Sequence, residues 1–224
     1  MSLLLYGIAE ARGRTGDRLA GVGLGGRPLR RLDEGPLAAV VSEHPGSERA
    51  PAPAASAARE YDRTIQRLME HEAILPARFG SLLDDEPAVR ALLRRRRDDL
   101  LPRLGRVRGA VEIGLRTAWR SGADGGSGST PDSGTAYLQD RLETRRRAGR
   151  VAGALDPLTA IARSARRTLA PAPGIAVLDA YLVDRGRVDE FVALLERLDR
   201  GLDDVEVVCT GPWPPYSFVE GAAV

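Results

Sequence analysis

The sequence predicts an α+β protein of two domains, and three observations carry that prediction. Short apolar runs at 3–8, 37–41 and 175–183 have the length of buried strands. Segments near 61, 86 and 188 repeat their apolar residues at helical spacing instead. Between these sets, residues 121–134 read Ser-Gly-Ala-Asp-Gly-Gly-Ser-Gly-Ser-Thr-Pro-Asp-Ser-Gly, a stretch with little to bury. The expected layout is an N-terminal α+β sandwich over 1–120, a Gly/Ser-rich linker over 121–134, and a C-terminal ferredoxin-like domain over 135–224 ending in a Trp/Pro-rich tail.

Taken in order, the strand at 3–8 is followed by a Gly/Arg loop and then by the strand at 37–41, which Gly35-Pro36 and His44-Pro45-Gly46 bracket. Residues 50–58 are Ala/Pro-rich and expected extended. Tyr61, Ile65, Leu68 and Met69 then mark a helix that must stop before Pro76, because proline disfavours helical geometry in the residue before it. Asp84-Asp85-Glu86-Pro87 opens a second helix, with acidic acceptors and a proline suited to the first turn. Its stripe is Val89, Leu92, Leu93, Leu100 and Leu101, and its expected end lies at 102–105.

In the strand at 107–115, Val107, Gly109, Val111, Ile113 and Leu115 face the core, while Ala110, Glu112 and Gly114 face water. Arg106, Arg108 and Arg116 guard it, so it is the expected edge for adding a partner strand; the alternative is a central strand with solvated arginines. Beyond the linker, Leu155, Leu158, Ala162, Ala165 and Leu169 keep helical register across 136–170, interrupted at Asp156-Pro157. A strand at 175–183, a helix marked by Val188, Phe191, Leu195 and Leu198, and a strand at 205–209 form a βαβ unit. Its missing antiparallel partner must come from the tail or the first domain.

Composition narrows the function classes. With 224 residues, 43% hydrophobic and 29% charged, the chain is neither disordered, collagenous nor a disulfide scaffold. All 33 basic residues are Arg against 31 acids, the mark of GC-rich coding rather than of a large positive field. Cys209 alone excludes an intrachain disulfide and a multi-cysteine metal site, and suits a reducing, cytosolic setting. No apolar stretch approaches the roughly 18 residues of a spanning helix, and the opening residues lack the basic region of a signal peptide. An aromatic content of 4% argues against rows of base-stacking rings.

Several motifs are decoys. Gly21-Val22-Gly23-Leu24-Gly25-Gly26 matches a dinucleotide-loop pattern, but it does not lie directly between a strand and a helix, so it reads as a turn. His44 sits in a His-Pro-Gly turn and His71 late in a helix, with no catalytic or metal-binding spacing around either. Cys209, in phase with Val205 and Val207, reads as a small buried residue. The runs Arg94 to Arg97 and Arg145 to Arg147 read as solvated, ion-paired helix faces; an RNA-binding α+β module using them is the alternative function.

The segment Thr210-Gly-Pro-Trp-Pro-Pro-Tyr-Ser-Phe218 spends three of the scarce aromatics in six residues. Its prolines impose an extended path, and its rings call for a groove to cover them, as a rigid tail strapped over the protein's own core.

At these residues the chain resembles the gas vesicle protein F/L (GvpF/GvpL) family. The resemblance rests on Tyr6-Gly7-Ile8, Val40-Val41-Ser42, Leu-Pro-x-Arg-Phe-Gly at 75–80, Val111-Glu112, Ala136-Tyr137-Leu138 and the C-terminal nonapeptide. It spans essentially the whole chain; the Asp156-Pro157 interruption departs from it. What it implies is a non-enzymatic accessory or minor structural protein, cytoplasmic and associated with gas vesicles. Such a protein acts in assembly through contact with the hydrophobic shell subunit and other gas vesicle accessory proteins. No catalytic residue, cofactor, metal, nucleic acid or membrane is implied. Arg78, Phe79, Gly80, Trp213, Tyr216 and Phe218 are the family-motif and candidate interaction residues. In physical terms Pro76 ends a helix, Phe79 anchors in the core, Gly80 permits a tight turn, and Arg78 pairs with a buried acid or points to a partner.

Overall fold

The computed structural model describes residues 2–11, 18–45, 55–120 and 134–219. The chain forms two compact units, Met1–Gly109 together with Trp213–Val224, and Ala110–Pro212. The expected linker falls outside the described residues except for residue 134, and the strand preceding it already belongs to the second unit.

In the first unit, β1 (Ser2–Glu10), β2 (Arg18–Val22), β3 (Pro28–Glu34), β4 (Leu37–His44), β5 (Leu75–Pro76) and β6 (Leu82–Leu83) form one sheet. Its order is β2-β3-β4-β1-β5, with β6 also on β1, and the pairings are antiparallel. β1 and β4 are buried along almost their whole length because both sheet faces are covered. On one face α1 (Ala55–Met69) sets Tyr61, Ile65 and Leu68 against Leu4, Tyr6, Leu29 and Val40. On the other lies α2 (Glu86–Val107), whose Glu86 pairs with Arg30 of β3. Burying each such Leu, Ile or Val side chain contributes roughly 1.5–3 kcal/mol.

Where a Gly/Arg loop was expected before residue 37, the chain forms β2 and β3. The strand pattern of β3 is disguised because two of its inward positions are charged: Arg31 and Asp33 are both buried, and Arg31 is paired with Asp33 and Glu72. The first helix starts at Ala55, inside the stretch expected to be extended, of which 50–54 lie outside the described residues. Asp85 caps α2 as expected, accepting from the Ala88 amide at 2.8 Å. The helix continues through Pro102, which sits on its exposed side, and stops at Val107. Gly109, at φ +69°, supplies the left-handed residue after the cap.

That longer helix shifts the next strand. Val107 is helical and β7 runs Ala110–Trp119; Ala110, expected on the wet face, is buried. The second unit continues with α3 (Gly134–Leu155), β8 (Ala162–Leu169), β9 (Ile175–Asp184), α4 (Val188–Asp199) and β10 (Val205–Trp213). Sheet order is β10-β7-β9-β8, so the βαββαβ sequence of elements has the ferredoxin-like topology. The partner missing from the βαβ unit is β7. β7 is therefore interior, and the expectation that it forms an edge is overturned; the edges are β8 and β10.

The helix expected over 136–170 also ends early. A 3-10 turn, Asp156–Ala160, follows Leu155, and β8 then pairs antiparallel with β9 from Ala162↔Val183 to Leu169↔Val177. Ala-Arg-Ser-Ala-Arg-Arg-Thr-Leu has little strand propensity; pairing with β9 outweighs it.

Candidate functional site

The motif residues of the first unit converge on one aromatic cluster. Tyr6 from β1 stacks on Tyr61 from α1, with centroids 5.0 Å apart and planes at 22°. Phe79 meets Tyr61 edge-on at 5.3 Å and 83°. The Tyr61 hydroxyl donates to the Leu5 carbonyl at 2.7 Å and lies 3.0 Å from that of Ala77. Burial, with Tyr6 and Asp62 nearby, pushes it far above the ordinary phenol range, so it stays a donor. Burial also raises Tyr6, whose oxygen accepts from the Leu24 amide at 2.7 Å and lies 3.2 Å from Ser42 Oγ.

The 75–80 motif closes this cluster from outside. Ala77 N–H donates to the Tyr6 carbonyl at 2.9 Å, and Leu5 N–H to that of Ser81 at 2.9 Å. Between them Ser81 N–H donates to the Arg78 carbonyl at 3.1 Å across a turn whose third residue, Gly80, has φ +83°. The approach demands glycine on β1 as well, since a Cβ at Gly7 would lie 2.6 Å from the Leu75 carbonyl oxygen. Thus Tyr6-Gly7 and Leu-Pro-x-Arg-Phe-Gly, nearly 70 residues apart, are two halves of one contact.

The structure divides the six candidate residues. Phe79 and Gly80 serve the cluster; Arg78 is exposed, and no ion pair of its side chain occurs among the described residues. Tyr216 packs against the same cluster and donates to Asp62 Oδ1 at 2.7 Å, while Phe218 is 5% exposed. Pro214 and Pro215 are buried, so the tail is strapped down as expected from Pro214 onward. Trp213 is not covered: it is 42% exposed. Cys209, expected buried, is exposed because β10 is an edge.

The glycine loop offers no phosphate cradle, because its amides are committed. Gly23 donates to Arg27 O, Leu24 to Tyr6 Oη, Gly25 to Glu60 Oε1 and Gly26 to Gly23 O. His44 is buried with Nδ1 3.1 Å from the Pro45 carbonyl, and His71 lies exposed in the turn after α1. Among the described residues, no group of three or more His, Cys, Asp and Glu is placed to hold a metal. Arg94 and Arg96 are engaged with Glu34 and Asp99. The open face of the ferredoxin-like sheet carries Gly114 and Arg116 on β7 and Leu178 and Ala180 on β9. An RNA-reading sheet of this topology sets stacking rings on its central strands; none occurs at these positions.

Two charged clusters escaped sequence reasoning. Arg31 forks onto Glu72 at 2.9 Å, beside Asp33. Arg167 of β8 binds Asp179 through Nε and Nη2, both at 2.9 Å, and Tyr181 donates to the same carboxylate at 2.7 Å. Both join residues distant in sequence, and Arg167 was expected in a helix. Arg31 is buried and Arg167 partly so, and both act as structural cross-links, although Arg31 Nε and the two Asp33 carboxylate oxygens have no hydrogen bond among the described residues.

Large apolar side chains are nevertheless left in water. Leu138 and Leu142 on α3 are 61% and 58% exposed, Tyr137 lies beside them, and Leu178 and Val208 stand on the second sheet.

Comparison with known proteins places this architecture. The family model described as gas vesicle synthesis protein GvpL/GvpF matches residues 2–220. Gas vesicle protein L of Streptomyces sp. (strain CB03234) is 34% identical, over 88% of this chain and 85% of that protein. Gas vesicle protein F of the same strain is 29% identical over 98% and 100%. The crystal structure of GvpF from Microcystis aeruginosa superposes with a TM-score of 0.81 at 16% identity, covering 98% of this chain and 99% of that one. That of GvpF from Anabaena sp. PCC7120 gives 0.79 at 18% identity, covering 98% of each.

Proposed function

Because the chain belongs to the gas vesicle synthesis protein GvpL/GvpF family, we propose that it is a non-enzymatic accessory or minor structural protein that acts in vesicle assembly through contact with the hydrophobic shell subunit. The observation that carries this reading is the outward placement of Tyr137, Leu138, Leu142, Leu178 and Val208. Large apolar residues held in solvent on α3 and on an open sheet suit a surface that meets another apolar protein. The aromatic motif cluster, by contrast, is spent inside the chain. No helix among the described residues is long and apolar enough to cross a membrane, and the protein is held at the vesicle by its partners, the shell subunit and other gas vesicle accessory proteins.

Capture of the shell subunit by the immobilised full chain tests this, paired with a proteomic search for the chain in purified vesicles. Capture should persist as salt rises, since apolar contact is not screened. A chain that ignores the subunit and binds RNA with an affinity falling steeply with salt would replace the reading with the RNA-binding one.

A further inference from the structure

The two edges of the ferredoxin-like sheet are built differently. β8 devotes three of its eight residues, Arg163, Arg166 and Arg167, to arginine. Arg163 is tied to Asp184 and Arg167 to Asp179. An edge so guarded resists the addition of another strand, because an incoming backbone must pass fixed charge. β10, Val-Glu-Val-Val-Cys-Thr-Gly-Pro-Trp, has one charged residue in nine, Glu206, and four β-branched ones. It is exposed at 206 and along 208–213. Natural proteins seldom leave so long and uncharged an edge open.

Register shows which groups that edge presents. Arg120 N–H donates to the Asp204 carbonyl at 3.0 Å, and Thr210 Oγ1 bonds the Gly114 carbonyl at 3.4 Å. Both pairs fit one antiparallel alignment of β10 with β7. In such a ladder alternate residues turn their main-chain groups to opposite sides. Residues 204, 206, 208 and 210 then face β7, leaving the amides and carbonyls of 205, 207, 209 and 211 directed away from the sheet. The same alignment sets Val208 across from Arg116, which pairs with Leu178 of β9. An apolar row interrupted by one cation thus borders the edge on the open face.

We infer that β10 is a strand-adding edge whose occupant is an extended, uncharged, β-branched segment of the apolar shell subunit; this rests on the function proposed above. Main-chain bonds from 205, 207, 209 and 211 hold the segment, and Val208, on the edge strand itself, selects for apolar side chains on it. One strand along nine residues is a small contact beside the roughly 1,200–2,000 Å² of a stable interface. It suits a segment held and released rather than a permanent dimer of this chain.

The test compares the full-length chain with Cys209→Pro, which removes an outward amide, and Val208→Lys, which places a guarding charge on the edge. Thr168→Lys on β8 is the control. Circular dichroism and melting establish folding; Val208→Lys keeps the test decisive if Cys209→Pro fails to fold. Expected is capture of the shell subunit weakened about tenfold by either edge variant, the scale of a lost main-chain bond, and unchanged by Thr168→Lys. Hydrogen exchange at 207 and 209 should slow when the subunit is added. Wild-type capture that survives both folded edge variants overturns the edge while leaving the function standing. No capture by the wild type overturns the function itself. A concentration-dependent dimer abolished by Val208→Lys assigns the edge to a second copy and overturns the occupant.

Discussion

In the first unit Tyr6, Tyr61, Phe79 and Tyr216 close on one another, whereas in the second several large apolar side chains of α3 and the sheet are left facing outward. Tyr6, Tyr61, Phe79 and Tyr216 come from a strand, a helix, a turn and the tail, and each finds a ring or a polar partner inside the unit. Leu138, Leu142, Leu178 and Val208 have no such closure. The difference separates two reasons for a residue to be distinctive. The motifs of the first unit that make the sequence recognisable hold the chain together, while the surfaces suited to a partner are distinguished by exposure, and they include Tyr137 and Leu138 of one recognition motif.

If the tail belongs to that closure, its effect should follow burial rather than ring size. Phe218→Ala, at a position 5% exposed, should cost about 3–5 kcal/mol and lower the melting temperature markedly. Trp213→Ala removes a larger ring that is already 42% exposed, and should cost under about 1.5 kcal/mol. Equal losses would mean that Trp213 is packed as firmly as Phe218 and would erase the division drawn at Pro214.

Gly7→Ala probes the contact between the two N-terminal motifs. Its Cβ would be forced against the Leu75 carbonyl and Ile74, an overpacking that costs about 1–3 kcal/mol. Denaturant titration reads the loss, and a neutral substitution would show that β5 can yield.

Much of this organisation was legible in the sequence. The strands at 3–8 and 37–41, the Asp85 cap, the turn at Gly80 and the ferredoxin-like second half follow from apolar pattern and turn chemistry. What escaped did so where long-range pairing replaced local signal. β3 hides its inward face behind Arg31 and Asp33, and Glu72, the partner of Arg31, lies some 40 residues away. β8 keeps a helical pattern until β9 claims it. The exposure of Trp213 and Cys209 depends on β10 being an edge, a property of strand order that no local pattern encodes.

Tyr61→Phe sharpens the inward half of the comparison. Its hydroxyl serves the Leu5 carbonyl, and leaving that acceptor unpaired should cost about 1–3 kcal/mol. A pH dependence accompanies it. The folded state holds the Tyr61 proton above the usual phenol range because of burial, while in the unfolded chain it leaves near pH 10. The unfolded state therefore binds fewer protons above about pH 10, so this stabilisation is complete below that point and declines as pH rises. Melting followed from about pH 8 to 11 should fall less steeply in Tyr61→Phe than in the wild type; parallel curves would remove Tyr61 from the alkaline transition.

The smallest effect belongs to the outward half. Leu138→Glu and Leu142→Glu change two large apolar side chains that are 61% and 58% exposed, so little burial is lost. New carboxylates there lie in the N-terminal half of α3, where the helix dipole favours negative charge most strongly near the first turn. A glutamate at 138 would stand three residues before Arg141, and one at 142 three and four before Arg145 and Arg146, with each favourable pair contributing about 0.2–0.5 kcal/mol. The double variant should therefore melt within about 0.5 kcal/mol of the wild type, with helicity by circular dichroism unchanged. A large loss would place these leucines in the fold's own core and end the contrast between the two units, whereas unchanged stability with diminished subunit capture would extend the docking surface from the β10 edge to α3.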